Sequence, residues 1–421
     1  MTTPPDPSVD HHAFCEPRAS RRGLFRGAAL AGVTTAFGAT IVTLDTSPAA
    51  AAAGYAASTV VVLSLRGAAD GLSLVVPHGD PAYYAARRTI AVPAEALIAR
   101  DGFFGMHPAM APLLPLWQAG RLAAVHAAGL PVANRSHFSA MEELEDADPG
   151  SPERVGWLNR MIGAQPGRST LEAVALGSSI PTALVGPEPV MSYPSLDAAS
   201  VAGADAWDRR GTRIRSLQAQ WRRSASPVAD GFRCALDAVA DLAPARKEPD
   251  RSRTYPPTAF GDAMSSVART LRADIGVTAV TVDSGNWDMH TGVGRADAGW
   301  MQRNAAELAG AIAAFFADLG PVADKVTLVT ISEFGRRVQE NANGGLDHGW
   351  GNVMLVAGAG VRGGQYYGRW PGLQNTLDAD LTVTTDYRSV LAEIVAARTP
   401  ASTATVFPGF TRERVGVMVG Q

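Results

Sequence analysis

Short apolar runs rich in β-branched residues recur along this chain, and they constrain its fold more than any other feature. Residues 58–65 read STVVVLSL, residues 121–129 read RLAAVHAAG, and residues 325–331 read KVTLVTI. Unbroken runs of this kind are typical of strands buried on both faces of a sheet. Amphipathic segments of helical spacing, such as residues 301–319, lie between them. We therefore expect an α/β fold with a mostly parallel central sheet and helices on both faces.

The composition sets the broad class of protein. Of the 421 residues, 46% are hydrophobic and 18% are charged, which is typical of a folded protein with a large core. The formal net charge of −3 provides no basic field for a phosphate backbone, so we expect no nucleic-acid partner. Residues 107–120 predict one helix ending at a glycine. We predict a single domain over residues 54–421, with a cap or insertion around residues 185–260, where the strand–helix pattern is less regular.

The N-terminus has the pattern of an export signal. The paired Arg21 and Arg22 stand in SRRGLFR, ahead of an apolar run at residues 27–44 and an alanine-rich segment. This predicts a twin-arginine signal peptide over residues 1–53, cleaved near residues 51–53. We therefore expect the twin-arginine translocase as a partner during export, and a periplasmic, cell-surface or extracellular location. The alternative is an anchoring helix, but glycine and threonine within the run favour a mature protein with no stable membrane span.

Reactive side chains follow the predicted strands. In open α/β sheets, ligands bind outside the carboxyl ends of the strands. The candidates at these positions are Asp70, Arg135, Ser136, Asp288, His290, Glu333, Asp347 and His348. Each has an ordinary structural alternative, such as an Asp-Gly turn, a helix cap or an ion pair with a neighbouring arginine. Their joint placement, with histidines beside carboxylates, is what indicates a common site.

Carboxylates and imidazoles together bind Zn²⁺ or Mn²⁺ and, with more oxygen ligands, Mg²⁺ or Ca²⁺. The predicted metal ligands are Asp70, Asp288, His290, Glu333, Asp347 and His348. A serine at a helix start beside a metal can become an activated nucleophile, so Ser136 is the candidate nucleophile. Arg135 is a candidate anion clamp. These parts predict a metal-dependent hydrolase of phosphate or sulfate esters, with a small-molecule or glycan anionic ester as substrate.

Five stretches of the chain, in order, resemble a known family. They are LRGAADGLSLVVP, LPVANRSHFSAMEE, GNWDMHTG, ISEFGRRVQENANGGLDHGWGNVMLVAGAGVRGGQYYG and TDYRSVLAEI. They are similar to the exported bacterial family known as domain of unknown function 1501, within the alkaline phosphatase and sulfatase superfamily. The resemblance implies an alkaline-phosphatase-like three-layer sandwich. It also implies metal-binding roles for Asp70, Asp288 and His290, a nucleophile role for Ser136, and a distal ligand role for His348.

The chain departs from the superfamily at one strand end. Where the superfamily has an Asp-His pair, this sequence has Glu333 and Phe334. A two-metal site would therefore lack one imidazole unless Asp347 or His137 substitutes. Three alternatives stay open: a single-metal enzyme, a rearranged site, or a non-catalytic extracytoplasmic binding protein that keeps the sulfatase-like fold.

Overall fold

A computed structural model of the chain describes residues 40–42, 57–149, 151, 154–163, 169–200, 210–224 and 227–421. Most of the predicted signal peptide and its cleavage zone lie outside these residues. Within them, the strands are β1 (Ile41–Val42), β2 (Thr59–Leu65), β3 (Val75–Val76), β4 (Gly105–Met106), β5 (Leu122–Gly129), β6 (Ala173–Leu176), β7 (Met191–Tyr193), β8 (Ala279–Ser284), β9 (Val326–Ile331), β10 (Asn352–Gly358), β11 (Tyr366–Tyr367) and β12 (Thr385–Asp386).

The α-helices of the described residues are α1 (Gly71–Leu74), α2 (Pro81–Ala86), α3 (Leu114–Gln118), α4 (His137–Asp146), α5 (Trp157–Met161), α6 (Thr212–Trp221), α7 (Pro227–Asp241), α8 (Ala243–Lys247), α9 (Ala259–Arg272), α10 (Trp300–Leu319), α11 (Tyr387–Arg398) and α12 (Thr403–Val406). Short 3-10 helices span Ala94–Ala96, Pro108–Leu113, Thr182–Leu184, Ser252–Thr254 and Gly320–Asp324.

The strands form one large mixed sheet. Its order is β1-β7-β6-β8-β2-β9-β10-β5-β11, with β12 also paired to β5, while β3 and β4 form a separate pair. The pairs of β2 with β8 and β9, of β6 with β7 and β8, and of β5 with β11 and β12 are parallel. The sequence prediction of an α/β fold with a mostly parallel central sheet is therefore confirmed.

The antiparallel members of the sheet differ from the simplest βαβ expectation. Strand β10 runs antiparallel to both β9 and β5, and β1 runs antiparallel to β7. A parallel neighbour needs a crossover connection, usually a helix. The loop at residues 332–351 contains no helix, so β10 returns beside β9 in the opposite direction.

Helices cover both faces of the central strand β2. Its Val61 and Leu63 side chains belong to one buried cluster, which includes residues of α9 and α10. Its Val60 and Val62 side chains belong to the opposite cluster, which includes residues of α4 and α11. The alternation follows from the two-residue period of a strand. The segment Trp300–Asp324 is long and apolar enough to cross a membrane by composition, with half of its most apolar window buried in the protein.

One helix prediction was wrong in detail. Residues 107–120 form the 3-10 helix Pro108–Leu113 followed by the short α3, rather than one α-helix. Pro112 and Pro115 remove backbone donors and prevent regular helical hydrogen bonding through this segment.

Candidate metal centre

Three loops at one edge of the sheet carry the histidines of interest. His137 begins α4 after β5, His290 follows β8, and His348 lies in the loop between β9 and β10. Strands β8 and β9 both run parallel to β2, and β5 and β9 are both antiparallel to β10. All three strands therefore end at the same edge, which brings the loops together.

The loop after β9 folds back on itself. Arg336 pairs with His348 as an isolated antiparallel bridge, and the Gly335 amide donates to the carbonyl of Trp350 at 2.8 Å. Residues far apart in this loop are thus neighbours in space. The fold-back explains why an acid at the strand end, Glu333, and a histidine fifteen positions later contribute to one site.

Four ligand atoms approach one another at this edge. The His348 Nε2 atom lies 3.0 Å from the Nε2 atoms of both His137 and His290. The Asp288 Oδ1 atom lies 3.1 Å from His290 Nε2 and 3.7 Å from the Nε2 atoms of the other two. Donors of a tetrahedral metal at about 2.0–2.1 Å are roughly 3.4 Å apart. His137, Asp288 and His348 form a group that could hold a metal ion, with ligand atoms all within 4.8 Å of one another.

The outer nitrogen of each imidazole faces an oxygen acceptor. These contacts are His137 Nδ1 to Glu333 Oε1 at 2.8 Å, His290 Nδ1 to Asp347 Oδ1 at 3.2 Å, and His348 Nδ1 to the Arg135 carbonyl at 3.0 Å. An ionised carboxylate and a carbonyl only accept, so each Nδ1 carries the hydrogen. In the neutral rings, the Nε2 lone pairs then point at one another. Such an arrangement is typical of metal-binding histidines, whose second nitrogen donates to a carboxylate or carbonyl.

Glu333 lies behind His137 rather than among the converging atoms. Its carboxylate is 3% exposed, and Oε1 also accepts from the Gly67 amide at 2.8 Å. Its second oxygen, Oε2, accepts from the Ser332 hydroxyl at 3.2 Å. With these bonds the carboxylate is fixed, so it sets the orientation and tautomer of the His137 ring.

Asp347 has the same relation to His290. The hydrogen bond from Asn341 is the largest cause that holds the pKa of Asp347 below its ordinary value, and the bond from His290 adds to it. The carboxylate is therefore ionised at neutral pH and available as an acceptor. Glu333 and Asp347, the other two ligands predicted in this loop, therefore contact the Nδ1 atoms of His137 and His290 and do not belong to the group of converging atoms.

Arg336 holds Asp288 in place. Its buried guanidinium donates to Asp288 Oδ1 at 2.6 Å, to the Ala68 carbonyl at 2.7 Å and to the Leu346 carbonyl at 3.0 Å. Desolvation is the largest single influence on the pKa of Asp288 and would raise it. The hydrogen bond and charge of Arg336, with the neighbouring histidines, outweigh that influence and lower the pKa. For His348, burial is the main cause of a lowered pKa, which favours the neutral ring.

Phe334 forms an apolar support for two of the rings. It is 2% exposed, and its ring centroid lies 4.9 Å from that of His137 and 5.0 Å from that of His348. The residue that replaces the histidine implied by the resemblance therefore packs against the imidazoles and restricts their motion. His137 brings an imidazole to this group from another loop.

Asp70 is placed in a buried ion pair. Its two carboxylate oxygens accept from Arg87 at 2.5 and 2.9 Å, and neither residue is exposed. Arg87 also donates to the Ser73 hydroxyl at 3.0 Å and to the Val338 carbonyl at 3.0 Å. The structure thus does not bring Asp70 into the group of converging ligand atoms. The pair instead ties the end of β2 to the loop after β9.

Ser136 and Arg135 precede the first ligand. Ser136 is the N-cap residue of α4, its amide donates to Asn134 Oδ1 at 3.0 Å, and its exposed hydroxyl has no hydrogen-bond partner among the described residues. The Arg135 guanidinium pairs with Asp380. It is therefore the Arg135 carbonyl, rather than its charge, that reaches the histidine group.

Two glycines permit the close approach of these loops. Gly67 has a φ of +106°, and a Cβ there would lie 2.5 Å from the Asp288 amide nitrogen. A Cβ at Gly345 would lie 1.9 Å from the His290 carbonyl oxygen. Any side chain at either position would move a loop that carries a ligand.

The family model described as protein of unknown function (DUF1501) matches residues 104–396. The chain belongs to this family. The matched region covers more than two thirds of the chain and contains His137, Asp288, His290 and His348, whereas Asp70 lies before it. A search of curated proteins finds no significant match.

Sequence reasoning named His137 only as a possible substitute for a missing imidazole and did not include Arg336 among the site residues. His137 directly follows the candidate nucleophile at a helix start, a signal that could have placed it in the ligand set. Arg336 gave no such signal, because its role depends on the loop folding back over Asp288.

Proposed function

We propose that this protein is a metal-dependent hydrolase of phosphate or sulfate esters. In this proposal His137, Asp288 and His348 hold one divalent transition-metal ion, and the adjacent His290 is a candidate fourth ligand. The observation that carries it is the group of ligand atoms from His137, Asp288 and His348, which all lie within 4.8 Å of one another, with His290 Nε2 3.0 Å from His348 Nε2. Without a cation or extra protons between them, these groups would repel one another.

The chemical types of the ligands narrow the choice of metal ion. Mg²⁺ and Ca²⁺ prefer sites built from oxygen ligands, whereas imidazoles suit zinc and other transition metals. Three imidazoles and one carboxylate therefore favour Zn²⁺ or Mn²⁺ over the other two predicted ions. When bound, the ion would polarise the ester and lower the pKa of a nearby hydroxyl or water.

The surroundings favour a reaction over a purely structural metal. The ligand side chains are between 25% and 49% exposed, so a substrate can reach them from solvent. The free Ser136 hydroxyl stands next to His137, at the N-terminus of a ten-residue helix whose first amides are unpaired. Such a terminus favours an anionic group beside the serine, so Ser136 is the proposed nucleophile. Arg135 would have to leave Asp380 to act as an anion clamp.

The wider assignments belong to the same proposal. Membership of the alkaline phosphatase and sulfatase superfamily is supported by ligands at the carboxyl edge of a mostly parallel sheet. Export by the twin-arginine translocase is supported by Arg21 and Arg22 in the sequence. The substrate would be a small-molecule or glycan ester with an anionic group.

One observation favours a second candidate, a non-catalytic extracytoplasmic binding protein. If His290 also binds, the four protein ligands would complete a tetrahedral ion by themselves, whereas catalytic zinc sites usually have three protein ligands and an open position. In the hydrolase proposal, His137, Asp288 and His348 would hold the ion, and the remaining ligand position would be available to the substrate.

Metal content is the first test. We expect the purified full chain to contain one zinc or manganese ion per chain by elemental analysis, and His348→Ala to contain none. The control His78→Ala, a histidine that contacts the Asp101 carbonyl instead, should keep the ion. Absence of metal from the wild type after incubation with both ions would refute the metal centre.

Activity separates the two candidates. We expect the metal-loaded wild type to hydrolyse aryl phosphate or aryl sulfate esters, and Ser136→Ala to lose at least a hundredfold in kcat while keeping its metal. Full metal occupancy without turnover of any ester would instead support the binding protein. Unchanged kcat in Ser136→Ala would exclude the serine as nucleophile.

A further inference from the structure

Large apolar side chains are exposed around the metal centre. Among the described residues, the large hydrophobic side chains with high exposure are Val132, Phe138, Val185, Trp300, Leu377 and Val419. Single exposed apolar residues are ordinary on protein surfaces. Several of these, however, lie on or against the loops that carry the proposed ligands, and such a grouping indicates a contact surface.

Phe138 is the most exposed of them and the nearest in sequence to the site. It is 87% exposed and directly follows His137, one residue further from the proposed nucleophile Ser136. On the same helix, Met141 and Leu144 are buried against the sheet, so the helix already has an apolar face. The Phe138 ring is therefore not needed for packing α4 and is exposed beside the candidate ligand His137.

Two further apolar side chains belong to neighbouring loops. Trp300 is 46% exposed, and its amide donates to the Gly292 carbonyl at 3.1 Å, two residues beyond His290. Leu377 is 78% exposed, and its carbonyl accepts from Arg337, whose own amide donates to the Asp347 carbonyl at 3.0 Å. Phe138, Trp300 and Leu377 thus lie on or against the loops that carry the candidate ligands, and these loops form the rim of the centre.

The charges near this rim argue for a small aromatic ligand over an anionic membrane surface. Arg135 pairs with Asp380, Arg337 with Asp378, and Arg336 with Asp288. These guanidinium groups are already neutralised by carboxylates. A membrane-binding surface would instead present free basic side chains around its apolar residues.

We propose that Phe138 is a specificity-determining residue that stacks against the aromatic ring of a substrate whose anionic group lies at the metal centre. The substrate class is then an aryl ester, or an ester with a comparable planar apolar group. This inference rests on the proposed function. Stacked or edge-to-face aromatic pairs stabilise contacts beyond their buried area, so the ring adds affinity and selectivity.

Binding of two stable phosphonates tests the inference without requiring turnover. Phenylphosphonate and methylphosphonate share the anionic group and differ in the ring. We expect the metal-loaded full chain to bind phenylphosphonate about tenfold more tightly by isothermal titration calorimetry. Phe138→Ala should abolish that preference and keep the affinity for methylphosphonate. The control Val419→Ala removes an exposed apolar side chain from the C-terminal segment and should change neither value.

The outcomes separate this inference from the proposed function. Loss of metal binding in the wild type would remove the proposed function and the inference together. A metal-loaded protein that binds both phosphonates equally, or neither, would overturn the role of Phe138 alone. A preference that survives in Phe138→Ala would do the same. Binding to phosphatidylglycerol vesicles that depends on Phe138, without a phenyl preference, would overturn the aryl ligand in favour of a membrane.

Discussion

At the scale of single residues, the proposed metal centre would depend on acids that contact its histidines from outside the group of converging atoms. Glu333 orients His137, so Glu333→Gln should keep the shape of the site and lose the negative charge that fixes the ring. Removal of such an outer partner typically lowers metal affinity ten- to a hundredfold. We expect that loss in a competition titration with a chromophoric chelator. Glu340→Gln, in the same loop but bonded to Thr89, is the matched control; equal affinities of the two variants would contradict the orienting role.

At the scale of elements, the turn after β2 packs directly against the loop after β8 that carries Asp288 and His290. The backbone conformation of this turn at Gly67 is therefore needed to position that loop. Gly67→Ala would force an L side chain into a left-handed conformation and into contact with the Asp288 amide. We expect a loss of about 1–3 kcal/mol in the free energy of unfolding, measured by urea denaturation, together with weaker metal binding. Gly177→Ala, where a Cβ meets nothing within 4 Å, should be nearly neutral. Equal effects of the two changes would show that the turn tolerates a side chain.

The strands, helices and loops also show which parts of the fold could be predicted from the sequence. The positions of β2, β9 and α4 follow from local periodicity, which needs no knowledge of the rest of the fold. The direction of β10 and the bridge between Arg336 and His348 depend on how one long polar loop folds back. The local periodicity of the sequence therefore located the strand ends that carry the candidate site. It could not separate converging ligands from the acids behind them, because both are carboxylates at the same strand ends.

At the scale of the whole molecule, a histidine buried in the sheet couples stability to pH. His126 lies within β5, stacks on Phe104 with centroids 4.3 Å apart, and has no partner for either ring nitrogen among the described residues. Burial lowers its pKa from the ordinary 6.5 to about 3. Because the unfolded chain binds this proton more readily than the folded one, stability is complete above pH 6.5 and falls as the pH drops toward 3.

His126→Phe removes this titration from the core. We expect the wild type to lose about 3 kcal/mol more than the variant between pH 7 and pH 4, because one pKa unit corresponds to about 1.4 kcal/mol. Urea denaturation of both proteins at the two pH values measures the difference. His78→Phe serves as the control, because His78 is partly exposed and its Nε2 atom donates to the Asp101 carbonyl at 3.1 Å. Parallel pH profiles for wild type and His126→Phe would contradict this role of His126, and acid sensitivity would then have to come from other groups, such as the buried His107, whose pKa burial lowers to about 4.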